Sequence, residues 1–549
     1  MKRLRNGFGV GVAALAAVTL AGCGGSSDDS AAVDTKTFAQ ACEALAGLKI
    51  DKGNMALPTE GAQISASTVV AASDSAPSHC EIKGAIAPVS ENAWPINFSV
   101  LIPEEWNKKA VHFGGSGYNG SIPNLYARVA GSPANAQSPL QRGYAVFGSD
   151  SGHQSETSPL ASFALVPEAL ENFAHAQLKK TRDSAVFVIQ EFKQAKPERT
   201  YWFGNSQGGR EGVTVAQRYP EDYDGVMARV PVLNFSGLQL WGNKAGQAIA
   251  KADVAFTEAT VQAVHNAVVA VCDGLDGLQD GVIANTDACK AEFKPQQHLQ
   301  CGGADLKVDA AACLTPSQVE ALEKAHEPLN YGYAVANGVT GYSAWSWGGE
   351  MDPGTNAWTW VYNGAKARAV EYGSSFAQYF IAQGSPAFDW ATFDITAYQD
   401  RIKEVSEVVD STNPDLSKFY ARGGKLLMSE NGADYAKNPY ATYAYHDAVK
   451  EKMGADKAEE FLRLYVTPGA DHGVGASQWQ AAYLDWLTVL ENWVEQGQVP
   501  GAKLEHVFVD NAGATTAKRP HCRYPTYPHY VAGDVNDIDS FECRSPNLR

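Results

Sequence analysis

Gly204-Asn205-Ser206-Gln207-Gly208 sets a serine between glycines at the spacing of a G-x-S-x-G turn. Its surroundings suit a nucleophile. Thr200-Tyr201-Trp202-Phe203 predicts a strand running into the turn, and Arg210 to Arg218 predicts a helix leaving it. Such a sharp strand-to-helix turn forces the serine into strained dihedrals, so the positions two residues either side must be small. The helix N-terminus behind Ser206 favours negative charge developing on a substrate oxygen. A serine hydroxyl is a poor nucleophile at neutral pH. It needs a base, and the base needs an orienting acid. Without those partners the pentapeptide is a surface turn.

In this strand–turn–helix setting the acid and then the histidine follow the serine, on loops after later strands. Asp434, in Glu430-Asn431-Gly432-Ala433-Asp434, lies just past the apolar run Lys425 to Met428. His472, in Thr467-Pro468-Gly469-Ala470-Asp471-His472-Gly473, lies just past Leu462 to Val466. Of twelve histidines, His472 is the one at the right point in the order. Asp471 is disfavoured as the acid, because a sequence neighbour seldom turns its carboxylate onto the adjoining ring. An oxyanion needs two donors. Gln207 N–H supplies one, and the loop Gly114 to Gly117 supplies the other. Gly117 is the candidate there, although the residues alone do not single it out.

A second cluster is acidic. Cys272-Asp273-Gly274-Leu275-Asp276-Gly277-Leu278-Gln279-Asp280-Gly281-Val282 carries three carboxylates with glycines that let the backbone curl. Hard oxygen ligands and exposed carbonyls describe a calcium loop. The spacing is not that of an EF-hand, and a solvated acidic turn is the equal alternative.

The elements that position these residues alternate. From about Lys109 to Val230 apolar strands such as Ala110 to Phe113 and Tyr144 to Phe147 alternate with helical runs such as Asp183 to Lys196, which predicts a parallel α/β sheet. The pattern returns at Lys425 to Met428 and Leu462 to Val466. Between about 236 and 415 the character changes: that stretch holds four of the nine cysteines and six of the twelve tryptophans, and it reads as an inserted lid. The expected organisation is a leader at 1–22, a tether at 23–41, a catalytic domain at 42–235 and 416–549, and the lid at 236–415.

The chain has 549 residues, 45% apolar and 19% charged, an ordinary globular composition long enough for a large core. A formal charge of −17 argues against nucleic acid or an anionic membrane surface as the main partner. Lys2, Arg3 and Arg5 precede an apolar run from Gly7 to Gly22 that reads as a secretory signal and is too short to span a membrane. Cys23 directly after Leu20-Ala21-Gly22 resembles the bacterial lipobox, which implies diacylation of Cys23; a plain signal peptide cut elsewhere is the alternative. The expected location is the cell envelope, on the outer membrane or the periplasmic face, with the membrane met only through that anchor and no obligate protein partner. The other cysteines, Cys42, Cys80, Cys272, Cys289, Cys301, Cys313, Cys522 and Cys543, are even in number and read as disulfides in an exported chain. They fall into three zones, and local pairing within each is the economical expectation.

Taken together these motifs resemble the tannase/feruloyl esterase family of α/β-hydrolases, over nearly the whole chain from Cys42 to Cys543. The resemblance is carried by the glycine loop Gly114 to Gly120, Asp150-Ser151-Gly152-His153, Gly204 to Arg210, the pattern from Cys272 to Ile283, and Arg519-Pro520-His521-Cys522-Arg523-Tyr524-Pro525. It implies an α/β-hydrolase fold with a large lid and a triad of Ser206, Asp434 and His472. It implies structural calcium in the lid, held by Asp273, Asp276 and Asp280 with the carbonyls of Leu278 and Val282. It implies disulfides 42–80, 272–289, 301–313 and 522–543. One departure stands out. The family usually ties the nucleophile and histidine loops with a disulfide at positions that are Asn205 and Gly473 here, so hydrogen bonds must hold these loops, with Asn205 the expected contributor.

The resemblance also implies carboxylic ester substrates of small aromatic acids. Lid aromatics at Trp345, Trp347, Trp358, Trp360, Tyr372, Phe376, Tyr379 and Phe380 are available to sandwich a planar acyl group, or simply to form the lid's own core. Arg368 has the chemistry to meet a substrate carboxylate, but a solvated arginine is the better expectation. Gallate, ferulate, chlorogenate and terephthalate monoester are not separated. The rival functions are a serine peptidase on the same fold and an inactive surface lipoprotein that binds aromatic ligands.

Overall fold

The apolar runs read from the sequence become the middle of one large twisted sheet. In a computed structural model its central strands are β1 (His79–Ile86), β2 (Ile96–Pro103), β3 (Lys109–Phe113), β4 (Ala145–Ser149), β5 (Arg199–Asn205), β6 (Gly225–Arg229), β7 (Lys425–Asn431) and β8 (Leu462–Thr467). Their order across the sheet is β1-β2-β4-β3-β5-β6-β7-β8. Strands β4 through β8 pair in parallel, and the first pairs are antiparallel. The chain is described at residues 36–155, 160–251, 253–351, 357–473, 475–476, 480–509 and 514–546. The leader, Cys23 and most of the tether lie outside the described residues. No helix among the described residues is long and apolar enough to cross a membrane.

Parallel strands need cover on both faces, and the side chains divide accordingly. On one face Trp202, Val226, Ala228, Leu426, Met428 and Leu464 pack with Val213 and Val215 of the helix Gln207–Arg218. On the other, Tyr201, Phe203, Met227, Leu427 and Tyr465 meet Trp486, Leu490 and Trp493 of the helix Trp486–Gln496. Beyond β8 the sheet continues antiparallel through Thr515–Arg523 and Lys503–Val509, an extension the alternating pattern upstream does not announce.

Strands β6 and β7 are hydrogen-bonded neighbours, with Gly225 opposite Lys425, yet the chain between them makes the whole excursion read as a lid. It leaves through the helix Phe235–Ile249, capped by the Asn234 side chain accepting from Gly237 N–H at 2.9 Å. Leu238, Trp241, Val264, Leu322, Trp345 and Phe376 bury one another, and that cluster runs on into Phe163 and Phe173 from ahead of β5. The excursion and the sheet's loops thus share one apolar core, and Phe38–Arg549 is a single compact unit. The cysteines pair locally, as 42–80, 272–289, 301–313 and 522–543.

Candidate active site

Ser206 sits between β5 and the helix that starts at Gln207, at φ 58° and ψ −120°. A non-glycine residue held there stores about 1–3 kcal/mol of strain, which surrounding bonds must hold in place. Its N–H donates to the Arg229 carbonyl at 3.0 Å, and its carbonyl accepts from Arg210 N–H at 3.0 Å and Val232 N–H at 3.2 Å. The flanking glycines are steric necessities: a Cβ on Gly204 would lie 2.3 Å from the Gly208 carbonyl oxygen, and one on Gly208 would lie 2.7 Å from that of Gly115.

The loops after β7 and β8 bring the acid and the histidine to this turn. His472 Nε2 is 2.8 Å from Ser206 Oγ, and His472 Nδ1 is 2.6 Å from Asp434 Oδ2. The other Asp434 oxygen accepts from Ala436 N–H at 2.8 Å and Lys437 N–H at 3.0 Å. Asp434 is buried, and these donors hold its carboxylate facing the ring. Asp471 turns away to accept from Gly473 N–H at 2.9 Å. Burial, followed by the charge of Asp434, pushes the Asp471 carboxyl up to about 6.

Gln207 begins the helix behind the serine, and Gly117 lines the same cavity at φ +55°. Within the glycine loop, Gly114 N–H donates to the Phe203 carbonyl at 2.9 Å and Gly115 N–H to Glu211 Oε2 at 2.9 Å. Glu211 Oε1 accepts from the Asn119 amide at 2.6 Å. This fully buried carboxylate, on the nucleophile's own helix, fastens the glycine loop to it. Burial holds Glu211 above the usual carboxylate range, while Arg210 and these donors pull it back. The Gln177 amide also donates to Oε1, at 3.3 Å, so Glu211→Gln leaves one acceptor oxygen for three donors, and kcat is expected to fall about tenfold at nearly constant KM, short of the ~10²–10³ for losing an oxyanion donor outright. Steady-state kinetics on any ester the protein cleaves checks this.

Ser206 and His472 open onto a cavity of about 560 Å³. Of the lid aromatics, Trp360 and Tyr372 form its wall, whereas Trp345, Trp347, Phe376 and Phe380 are buried in the lid core. Tyr372 stacks on Tyr118, with ring centroids 5.3 Å apart and planes 13° apart, and Trp360 lies 6.1 Å from Tyr372 at 26°. Arg368 is half exposed, as expected, but it also lines the cavity, with its guanidinium 5.7 Å over the Tyr372 ring. His153 also lines the cavity, stacked on Phe163 at 3.9 Å, and burial brings its imidazole down to about 4.

In the acidic loop each carboxylate accepts from backbone N–H groups: Asp273 from Asp280 and Gly281, Asp276 from Leu278 and Ala284, Asp280 from Val282. Burial, with added repulsion from Asp280 and Asp273, pushes the Asp276 carboxyl up to about 7. Arg519 lies 3.4 Å from Asp280. Among the described residues no three acidic, histidine or cysteine side chains are gathered at metal-holding spacing, so carbonyl oxygens must complete any cation site there. The set of hard oxygens around an under-compensated carboxylate is chemically suited to calcium.

Among the described residues no hydrogen bond joins the Asn205 side chain to the histidine loop. Asn205 lines the cavity, and the bonds to Gly473 come instead from Arg229 at 2.7 Å and Asn431 at 3.3 Å. Sequence reasoning passed over Arg229, Asn431 and Glu211. The available signal was a charge closing an otherwise apolar strand, for Arg229, and an adjacent Arg210–Glu211 pair between glycines, for Glu211.

A sequence profile described as tannase and feruloyl esterase matches residues 80–544. An uncharacterized esterase of Agrobacterium fabrum is 35% identical over 91% of this chain and 92% of its own. Mono(2-hydroxyethyl) terephthalate hydrolase of Piscinibacter sakaiensis is 28% identical over 92% of both. Among solved structures, feruloyl esterase B from Aspergillus oryzae superposes at a TM-score of 0.75, with 23% identity over 92% of this chain and 100% of that one. Tannin acyl hydrolase from Aspergillus niger gives 0.68, with 19% identity over 92% and 95%. These likenesses in structure establish the α/β-hydrolase fold, and the sequence matches establish the rest: the chain belongs to the tannase and feruloyl esterase family and is a carboxylic ester hydrolase.

Proposed function

We propose that the protein hydrolyses esters of small aromatic acids through an acyl-enzyme formed on Ser206. The observation that carries this reading is the hydrogen-bonded run Asp434–His472–Ser206 opening onto a cavity walled by Trp360 and Tyr372. As Ser206 Oγ attacks the ester carbonyl, His472 Nε2 takes its proton and the carbonyl electron pair moves onto oxygen. Asp434 keeps the ring oriented through Nδ1–H and stabilises the imidazolium. The N–H groups of Gln207 and Gly117 hold the oxyanion; Gly114 and Gly115 are excluded because their N–H groups are engaged elsewhere. Collapse expels the alcohol with the proton from His472. Water, deprotonated by His472, then releases the acid and restores Ser206.

An aromatic acyl group is supported by the stacked rings of the wall, which suit offset contact with a planar acid, and by the relatives named for ferulate and terephthalate monoester hydrolysis. The deciding experiment is hydrolysis of methyl gallate, methyl ferulate, chlorogenate, mono(2-hydroxyethyl) terephthalate and a short aliphatic ester, with Ser206→Ala as control. Serine-dependent turnover of one aromatic ester is expected. Turnover of none, or turnover that survives the alanine, overturns the reading.

The same reading includes calcium as a structural ion, held by Asp273, Asp276 and Asp280 with the Leu278 and Val282 carbonyls. It stabilises the acidic loop and enters no chemical step. Calcium at about 100 times its Kd is expected to add about 2.7 kcal/mol, seen as a chelator-induced fall in Tm that calcium reverses and that Asp276→Asn abolishes. Export and diacylation at Cys23 also belong to this proposal on the strength of the leader, and fatty-acid labelling of the chain but not of Cys23→Ser tests them.

A further inference from the structure

Arg229 closes strand β6 with the strand's one charge and is buried, at 6% exposure. Its two ends do different things. The backbone carbonyl accepts the Ser206 N–H at 3.0 Å, holding the strained residue from behind. The guanidinium donates through Nη2 to the Gly473 carbonyl at 2.7 Å and lies 3.4 Å from Asn431 Oδ1. Asn431, the last residue of β7, bonds the Asp471 carbonyl in turn and reaches Gly473 at 3.3 Å. The residues on both sides of His472 are therefore held from the ends of β6 and β7. With asparagine at 205 and glycine at 473, no covalent bond joins these loops.

We infer that Arg229 is a positioning residue that spans the nucleophile turn and the histidine loop and thereby fixes the separation of Ser206 Oγ from His472 Nε2. It touches neither substrate nor the reacting atoms, and the inference rests on the Ser206–His472 reading above. The charges around the guanidinium favour a cation at this position. Asp434 and Asp471 lie on the flanking loops, Glu430 on β7 is itself paired with Lys437, and His521 stands behind from the antiparallel extension. Both contacts come from one nitrogen, Nη2, whose two N–H bonds diverge toward the Gly473 carbonyl and the Asn431 oxygen, and the rigid guanidinium plane fixes where that nitrogen sits.

The position also supplies its own test. A second cavity of about 260 Å³ is lined by Gly204, Asn205, Met227, Arg128 and Arg229, with no lid residue among those that line it. Removing the side chain leaves a space that a free guanidinium ion can enter from there. Arg229→Ala is expected to lose about 100-fold in kcat, the scale of a 1 Å misplacement of reacting groups, with KM within twofold. Guanidinium chloride at a sub-denaturing concentration is expected to restore at least tenfold of that loss, where sodium chloride and urea at the same concentration do not. Arg229→Lys is expected to fall between the two, and it carries the kcat and KM comparison should the alanine variant fail to fold. A wild-type kcat in either variant overturns the inference, as does a loss shared with KM or a loss in the alanine variant that guanidinium does not restore. Failure of the esterase reading shows separately, as no turnover by the wild-type enzyme or as turnover that survives Ser206→Ala.

Discussion

Asp434→Asn is expected to lower kcat by about 10⁴-fold, nearly as far as Ser206→Ala, while the protein stays folded. The reason lies in the carboxylate's other oxygen. Asp434 Oδ1 accepts two backbone N–H groups, from Ala436 and Lys437. An amide in the same place must turn its carbonyl toward those donors, which leaves its NH₂ facing His472 Nδ1. The ring then accepts at Nδ1 and carries its proton on Nε2, pointing at Ser206 Oγ. In that tautomer it has no lone pair with which to take the serine proton. Asp434→Asn also removes the negative charge that helps raise Asp471, so the Asp471 carboxyl should move back toward the ordinary range. Steady-state kinetics and a thermal melt of Asp434→Asn and Asp471→Asn decide the matter. An Asp434→Asn enzyme within tenfold of wild type beside a dead Asp471→Asn would transfer the role to Asp471.

The second large effect is on stability. Glu430 and Lys437 form an ion pair with 0% and 1% of their side chains exposed, and the Lys437 ammonium also donates to Thr442 Oγ1 at 3.1 Å. Burial already holds Glu430 above the usual carboxylate range, and Lys437 is the first group that opposes it. Lys437→Met strands that carboxylate and is expected to cost about 3–5 kcal/mol, whereas a pair replaced on both sides is often neutral. Equilibrium denaturation should therefore find Lys437→Met strongly destabilised and the double variant Glu430→Gln/Lys437→Met substantially recovered. The Lys437 N–H that orients Asp434 belongs to the backbone and survives the substitution, so the loss is expected in stability rather than in the kcat of folded enzyme. A double variant no more stable than the single one would show that the pair is not the source of the loss.

What could be read in advance follows from how local each constraint is. The nucleophile turn is written in a pentapeptide because the Gly204–Gly208 clash is local. The acid and histidine were legible through chain order, since each sits one short loop past a strand of plain apolar pattern. Glu211 and Arg229 were not, because a buried charge looks like a surface charge until its partner is known. Those partners are 96 residues away at Gly115 and 244 away at Gly473. The lid aromatics could not be divided between wall and core for another reason. Trp360 lies in a π-helical turn, Trp358–Tyr362, and a second such turn spans Ala377–Ile381. One extra residue per turn rotates the facing side chains away from a 3.6-residue period, so wall and core residues cannot be sorted by spacing.

The adjacency of β6 and β7 bears on how this enzyme can change. The excursion between them begins and ends at hydrogen-bonded neighbours, so the sheet's register does not depend on what lies between. Closing a loop of roughly 200 residues differs from closing one half as long by only about 0.6 kcal/mol. Changes in the length of the excursion thus cost the sheet little in closure, provided the apolar core it shares with Phe163 and Phe173 is kept, whereas a single added carbon at Gly204 or Gly208 clashes with backbone outright. Selection can alter the choice of acid from one lineage to the next while the chemistry that cuts the ester stays fixed.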